Sequence, residues 1–378
     1  MKAPINPFMT SGYLSADYFC DRQSETENLI REITNGNNTA LISTRRMGKT
    51  GLIKHCFEQE RVKNHFYTFF IDIYATKSLR DFIFILSKEI IETLKPFGKK
   101  AVEIFWNSVK SLQGGISFDL SGNPSFNVSL GDINAGKTTL DETFAYLANA
   151  DKPCIVAIDE FQQISSYADQ DNMEAVLRTY IQHCANARFI FAGSQRHTMG
   201  NMFLSASRPF YQSVSMLYLD RIPREEYVLF AQKHFERNKK NITAETVETV
   251  YSRFDGITWY VQKILNVLFS HTNVNGVCTA EMAPPAIESI IDSYRYAYSE
   301  ILFRLPEKQK ELLVAIAKAG KAKTITSSEF IQKYKLASAS SVQSAQKVLL
   351  EKDYITTEEG IFSVYDRFFE IWLREKYG

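Results

Sequence analysis

Cysteine is scarce in this 378-residue chain, and the five present (Cys20, Cys56, Cys154, Cys184 and Cys278) form no C-x-x-C pair. That excludes a disulfide framework and a thiolate metal cage, and the thiols read as reduced, mostly buried groups of a cytoplasmic protein. The six histidines show no metal-ligand spacing, and His183 reads as a structural residue on a helix face. No apolar run approaches the roughly 18 residues that a membrane span needs. The opening MKAPINPFMTSGYL lacks the apolar stretch of a signal peptide. Charge of one sign is not in excess either. With 44 Lys and Arg against 43 Asp and Glu, bulk electrostatics point to neither nucleic acid nor membrane, and only a local basic surface stays open. There is no internal repeat and no low-complexity tract. What is left is an ordinary globular composition, 45% hydrophobic and 23% charged, long enough for two or three domains.

What is present is a rhythm. From about residue 25 to 220, short continuous apolar runs alternate with amphipathic stretches. The runs are TALIS (39–43), FYTFFIDIY (66–74), CIVAI (154–158), RFIFAG (188–193) and VSMLYL (214–219). Runs of this length, rich in Val, Ile, Phe and Tyr, suit strands buried on both faces. LRDFIFILSKEIIETL and NMEAVLRTYIQHCAN repeat apolar residues at i, i+3 and i+4 and so predict helices. Strands alternating with helices predict an α/β fold, a parallel sheet covered on both sides.

One segment breaks the rhythm. Within 115–132, Ile116, Phe118 and Leu120, then Phe126, Val128 and Leu130, alternate with polar residues about a Ser-Gly-Asn-Pro-Ser turn. That pattern predicts an antiparallel hairpin inserted outside the main sheet. Beyond residue 220, PREEYVLFAQKHFERN, TAETVETVYSRF and TWYVQKILNVLFSH predict a small helical bundle. From about 300, three helical stretches closed by YITTEEGIFSVYD predict a winged helix-turn-helix. The expected division is a core over 1–220, a helical lid over 221–299 and a winged helix over 300–378.

Gly-Lys-Thr occurs twice. SLGDINAGKTTL (129–140) satisfies the phosphate-loop pattern G-x-x-x-x-G-K-[ST] from Gly131 to Thr138. LISTRRMGKTGLI (41–53) fails it, because Ser43 stands where the leading glycine belongs. Letters are not the mechanism, however. A phosphate loop works because a buried strand hands over to a helix through a tight turn whose backbone N–H groups face the anion. Leu41 and Ile42 end a buried run, and Leu52, Ile53, Cys56 and Phe57 form a helical stripe. Around Lys137 the preceding strand is the half-wet hairpin, and the match reads as a loop opening the helix TTLDETFAYLANA.

Spacing favours the imperfect copy as well. CIVAIDEF places Asp159 and Glu160 at a strand's C-terminal end. There an Asp can hold Mg²⁺ through water and a Glu can polarise an attacking water. Between Lys49 and Asp159 there is room for a further strand, its helices and the hairpin. Between Lys137 and Asp159 there is room for one helix.

With both motifs in hand, the chain resembles the archaeal-type ATPase family of the AAA+ and STAND group. YFCDRQSETENLI is similar to its entry segment, STRRMGKT to its Gly-Pro-Arg-Arg-Val-Gly-Lys-Thr, and IDEFQQI to its Asp-Glu box. FIFAGSQRHTM looks like its Gly-Ser strand end, FDGITWYVQKIL like its lid motif and VYDRFFEIWL like its C-terminal Asp-x-x-Phe-x-x-Trp. The resemblance implies a phosphate-loop NTPase, a three-layer αβα core with a five-stranded parallel sheet in the order 5-1-4-3-2, then a helical lid and a winged helix. It implies an ATPase that hydrolyses ATP to ADP and phosphate with Mg²⁺, or else a non-hydrolysing or very slow nucleotide-gated switch.

Carried over by position, the resemblance makes Arg46, Met47, Gly48, Lys49, Thr50 and Gly51 the phosphate-binding residues. Thr50 and Asp159 become the Mg²⁺ ligands and Glu160 the general base. Ser194 or Gln195 takes the role that senses the γ-phosphate, and Arg22 lies near the adenine. Arg196 and Arg208 are candidates for an arginine given to a neighbouring subunit, though each reads first as structural. Two residues depart from the family pattern. Ser43 replaces glycine, at a cost of roughly 1 kcal/mol or more if the position needs positive φ. Trp259 stands where the lid motif often has proline.

The implied partners are ATP and, at the winged helix, double-stranded DNA or a protein. The recognition-helix stretch SASSVQSAQK offers Ser, Gln and Lys, which can reach phosphates and base edges. Yet from Glu300 onward 13 Lys and Arg face 11 Asp and Glu, a weak balance beside the basic stripe of a DNA reader. The closing Asp-Arg-Phe-Phe-Glu-Ile-Trp is amphipathic and suits packing on the ATPase core.

Overall fold

A computed structural model describes residues 5–94, 116–118, 124–126, 133–168, 170–358 and 360–378. Five strands form one parallel sheet: β1 (Thr39–Ile42), β2 (Tyr67–Asp72), β3 (Cys154–Asp159), β4 (Ala187–Gly193) and β5 (Ser215–Tyr218). They lie side by side in the order β2-β3-β4-β1-β5, which from the other edge is the expected 5-1-4-3-2. The register pairs Asp72 with Asp159, Ile158 with Phe191, and Ile42 with both Gly193 and Tyr218. The carboxyl ends of β1, β3 and β4 therefore line up, and the residues that follow them emerge together, where ligands of open α/β sheets bind.

Burial explains which runs became central. Strands β1 and β3 are buried along their whole length and β4 nearly so, whereas the edge strands β2 and β5 are half-exposed. Alternate residues feed two cores, as a period of two requires. Ala40, Ile42, Val156, Ile158, Phe189 and Phe191 enter one, and Leu41, Ile155, Ala157, Ile190 and Ala192 the other. Helices α1 (Gln23–Thr34) and α2 (Lys49–Glu58) close the second core with Leu29, Ile33, Leu52, Ile53 and Cys56. Helices α3 (Leu79–Leu94), α4 (Ile133–Ala148) and α5 (Gln170–His183) close the first with Leu86, Ile90, Phe144, Leu147, Leu177 and Ile181. Each enclosed side chain of this kind contributes about 1.5–3 kcal/mol. All five cysteines are buried and unpaired.

Ile116–Phe118 pairs antiparallel with Pro124–Phe126, so Pro124 and Ser125, expected in the turn, belong to the second strand. The remainder of the expected hairpin, with Leu120, Val128, Leu130 and Gly131, lies outside the described residues. The second Gly-Lys-Thr did not turn out as a loop opening a helix. Helix α4 already begins at Ile133, so Lys137 stands one turn inside it rather than at a strand-to-helix turn.

The chain divides into two compact units, Met1–Phe230 with Gly256–Lys263, and Ala231–Asp255 with Ile264–Gly378. After α6 (Arg196–Leu204) come α7 (Arg224–Arg237), α8 (Ala244–Arg253), α9 (Thr258–His271) and α10 (Ala283–Arg304). A short parallel pair, Asn241–Ile242 with Val277–Cys278, lies where only helices were expected, since two residues are too few to show a period.

The winged helix comprises α11 (Glu307–Ala319), α12 (Ser328–Tyr334) and α13 (Ala339–Glu351) with β6 (Ala322–Lys323), β7 (Ile355–Glu358) and β8 (Ile361–Val364). Its antiparallel sheet runs β6-β8-β7. Ser327 and Ser338 cap α12 and α13 by accepting the N–H groups of Phe330 and Ser341. Helix α14 (Arg367–Tyr377) is capped by Asp366, and its Phe369 and Trp372 pack against Tyr298 of α10, with ring centroids 4.8 and 5.7 Å away. The closing aromatics thus pack within their own unit. Among the described residues no helix is long and apolar enough to cross a membrane.

Candidate functional site

Strand β1 ends at Ile42 and α2 begins at Lys49, so residues 43–48 make the turn. Two of them are left-handed, Arg46 (φ 68°) and Gly48 (φ 95°). Ser43 is not among the positive-φ residues. It is buried, its N–H donates to the Gly193 carbonyl (3.3 Å) and its Oγ to the Thr44 carbonyl (2.8 Å). The strain expected from serine at the leading position is therefore absent, and the left-handed non-glycine residue of the turn is Arg46 instead. At Gly48 a Cβ would meet nothing closer than Thr258 Cγ2 at 3.8 Å, so conformation rather than space asks for glycine.

A Ser43→Gly variant relieves nothing and frees the unfolded backbone. It is expected to melt lower, by roughly 0.5–1 kcal/mol of stability. A thermal melt beside wild type checks this, and a more stable variant would show that the strain sits at position 43 after all.

The first residues of α2 meet the end of β3. Thr50 Oγ1 donates to Asp159 Oδ2 at 2.6 Å, and Lys49 and Asp159 are both buried. Burial lowers the Lys49 pKa, against the opposing pull of Glu160 and Asp159. Burial likewise raises that of Asp159, against the Thr50 hydrogen bond and the Lys49 charge. Both shifts favour the neutral form, so the neighbours offset only part of the desolvation cost. A polyanion together with a dication would complete such a balance. Hydroxyl and carboxylate oxygens are the hard donors that Mg²⁺ takes, and it commonly uses one or two protein ligands plus phosphate oxygens and water. Among the described residues, no three His, Cys, Asp or Glu side chains group so that they could hold a metal unaided.

Glu160 follows in a left-handed conformation (φ 57°, ψ 39°), its N–H donating to Asp159 Oδ1 at 3.0 Å. Its Oε2 accepts from Ser194 Oγ (2.7 Å) and from Gln162 Nε2. The Ser194 N–H donates to Gln162 Oε1 (3.2 Å), and Ser194 Oγ also receives Arg45 Nε (3.3 Å). The structure thus brings Ser194 to Glu160. Gln195 is exposed, and its Oε1 accepts from Thr198 Oγ1 (3.0 Å) at the start of α6.

Gln162 is the member of this cluster that sequence reasoning missed. Two adjacent glutamines gave no sign of which one turns inward. Gly193 makes room for it. A Cβ there would lie 2.4 Å from Met199 Sδ and 2.6 Å from Gln162 Oε1, both in buried side chains.

Arg22 is buried and left-handed (φ 72°); its guanidinium pairs with Glu25 (2.7 Å) and donates to the Met47 carbonyl (3.1 Å). From the start of α9, Thr258 Oγ1 donates to the same carbonyl (3.2 Å) and the Trp259 N–H to the Arg46 carbonyl (3.1 Å). The Arg46 guanidinium lies 4.4 Å from the Trp259 ring and 4.9 Å from the Tyr260 ring, and donates to the Tyr260 hydroxyl. On the outer side of α2, Phe19 stacks on His55 (4.5 Å), and the Tyr13 hydroxyl lies 2.9 Å from His55 Nδ1. Arg208 pairs with the buried Glu174, and Arg196 lies 3.7 Å from Asp220.

This sheet order, the β1-turn-α2 passage ending in Gly-Lys-Thr and the Asp-Glu pair at the end of β3 define a phosphate-loop ATPase core. The chain belongs to the family described as "ATPase domain predominantly from Archaea", which matches residues 19–264. Residues 296–375 match the family described as "Probable winged helix domain". No curated protein matches the sequence.

Similar solved structures include a Walker-type ATPase of Pyrococcus abyssi, with 17% identity and a TM-score of 0.63 over 97% of this chain and 99% of that one. The ORC2 protein of Aeropyrum pernix in its ADPNP–ADP complexes is 13% identical with a TM-score of 0.60, over 98% and 96%. The ORC1 protein of Aeropyrum pernix in complex with DNA is 11% identical with a TM-score of 0.57, over 99% and 97%. At these identities the likeness shows the fold alone.

Proposed function

We propose that the chain binds Mg·ATP, hydrolyses it to ADP and phosphate, and sets the position of its winged helix by nucleotide state. The observation that carries this reading is the Thr50–Asp159 hydrogen bond beside buried Lys49, at the joint end of β1, β3 and β4. In this reading the loop amides and the Lys49 ammonium hold the β- and γ-phosphate oxygens. Thr50 and Asp159 hold Mg²⁺, which supplies neutralisation of phosphate charge. Glu160 takes the proton of the attacking water as its oxygen bonds to the γ-phosphorus, and the β–γ bridging oxygen leaves with ADP. Ser194, hydrogen-bonded to Glu160, orients that carboxylate.

Support for coupling is that α9 begins at the loop carbonyls and continues in sequence into the second unit. For the partner we favour double-stranded DNA. The exposed side of α13 carries Ser340, Gln343, Ser344 and Lys347, residue types able to reach phosphates and base edges, and one structural neighbour is in complex with DNA.

One experiment addresses both halves: phosphate release and the mobility of a labelled duplex, each measured with ATP or ADP at graded salt. Release should fall about a hundredfold or more with EDTA. The duplex should shift at low salt, lose its shift as salt rises, and respond to the nucleotide. Tight ATP retention without release would favour the slow switch. No shift at low salt would remove DNA and leave a protein partner.

A further inference from the structure

The carbonyls of Arg46 and Met47 are held from outside the loop, the first by the Trp259 N–H, the second by Thr258 Oγ1 and Arg22 Nη2. A trans peptide is planar, so the N–H of the following residue points the opposite way. Fixing these two carbonyls outward therefore turns the Met47 and Gly48 amides inward. Left-handed residues at 46 and 48 curve the turn in the manner of an anion-binding nest. Arg46 keeps that uncommon conformation with its guanidinium over the Trp259 and Tyr260 rings, so its charge is directed to the rings.

We propose that Trp259, Thr258 and Arg22 are positioning residues that set the Met47 and Gly48 amides for the phosphates before nucleotide arrives. The proposal rests on the nucleotide reading above. Trp259 acts chiefly through its backbone. It is the second residue of α9, where an N–H has no partner within the helix, and here that donor is used on the loop. Proline is tolerated in a helix's first turn but has no N–H to give.

Trp259→Pro removes the N–H and the ring, Trp259→Phe keeps the N–H and a ring, and Thr258→Val removes one hydroxyl at constant shape. Two readouts are needed: Mg·ATP affinity by calorimetry, and hydrogen exchange over residues 41–52 in nucleotide-free protein. Trp259→Pro should weaken binding about tenfold, the worth of one hydrogen bond and a cation–π contact, and speed that exchange. Trp259→Phe should stay within about twofold of wild type, and Thr258→Val should weaken binding about threefold.

Unchanged affinity and exchange in Trp259→Pro would overturn the brace, and equal losses in the Pro and Phe variants would overturn the role of the N–H. Should Trp259→Pro fail to fold, Thr258→Val decides, and wild-type affinity and exchange there overturn the proposal. A wild type that binds no Mg·ATP, with exchange still rising in Trp259→Pro, sinks the nucleotide reading and not the brace.

Discussion

Replacing Lys49 by alanine is expected to abolish useful Mg·ATP binding, raising Kd at least about a hundredfold, or ~2.7 kcal/mol. An exposed ammonium would be worth far less, because water and salt screen it. Lys49 is buried, and burial already disfavours its charge despite Glu160 and Asp159 nearby. The fold has met the desolvation cost in advance, so a phosphate arriving there meets a cation with little water around it. Thermal shift gives a direct readout. At 100 times Kd, Mg·ATP stabilises a one-site protein by about 2.7 kcal/mol, and the Lys49→Ala protein should show almost none of it. Lys137→Ala serves as the control, since Lys137 stands inside α4. Loss of the shift in that variant, with Lys49→Ala unaffected, would return the phosphates to the second Gly-Lys-Thr.

The sheet was legible because burial on both faces writes itself as continuous apolar runs, and TALIS, CIVAI and RFIFAG mark the buried central strands. Their spatial order was legible only through resemblance, since apolar runs say nothing of neighbours. The pairing of Thr50 with Asp159 was foreshadowed by motif, because Thr50 lies in the first turn of α2 and Asp159 ends β3, both elements that the motif itself requires.

What stayed hidden depends on backbone sign and on contacts far apart in sequence. Nothing in STRRMGKT shows that Arg46, and not Ser43, takes positive φ. Ser194 and Gln195 were equal candidates, and a one-residue step past Gly193 separates them, the first turned in toward Glu160 and the second out to Thr198. The Trp259 donor could not be read at all, because a backbone N–H leaves no mark in the side-chain letters. Nor does the entry segment show that the Arg22 guanidinium pairs with Glu25 and donates to the Met47 carbonyl.

Glu160→Gln should leave Mg·ATP affinity within about threefold of wild type and reduce phosphate release by about 10²–10⁴-fold, the range for losing a positioned base. Shape is conserved, and an amide oxygen can still accept from Ser194 Oγ where Glu160 Oε2 does now. The left-handed backbone at 160 asks the same of glutamine as of glutamate. The electrostatic effects on binding oppose one another. Glu160 pushes the Asp159 pKa up, so neutralising it favours the ionised Asp159 that a dication needs. It also supports the Lys49 charge, so the same change weakens the cation that the phosphates need. With binding nearly balanced, what glutamine cannot do is take a proton from water. Single-turnover hydrolysis beside calorimetric affinity separates the two functions. Unchanged hydrolysis would remove Glu160 from the chemistry. Joint loss of binding and hydrolysis would make it a residue that holds the site together, with the base to be sought elsewhere.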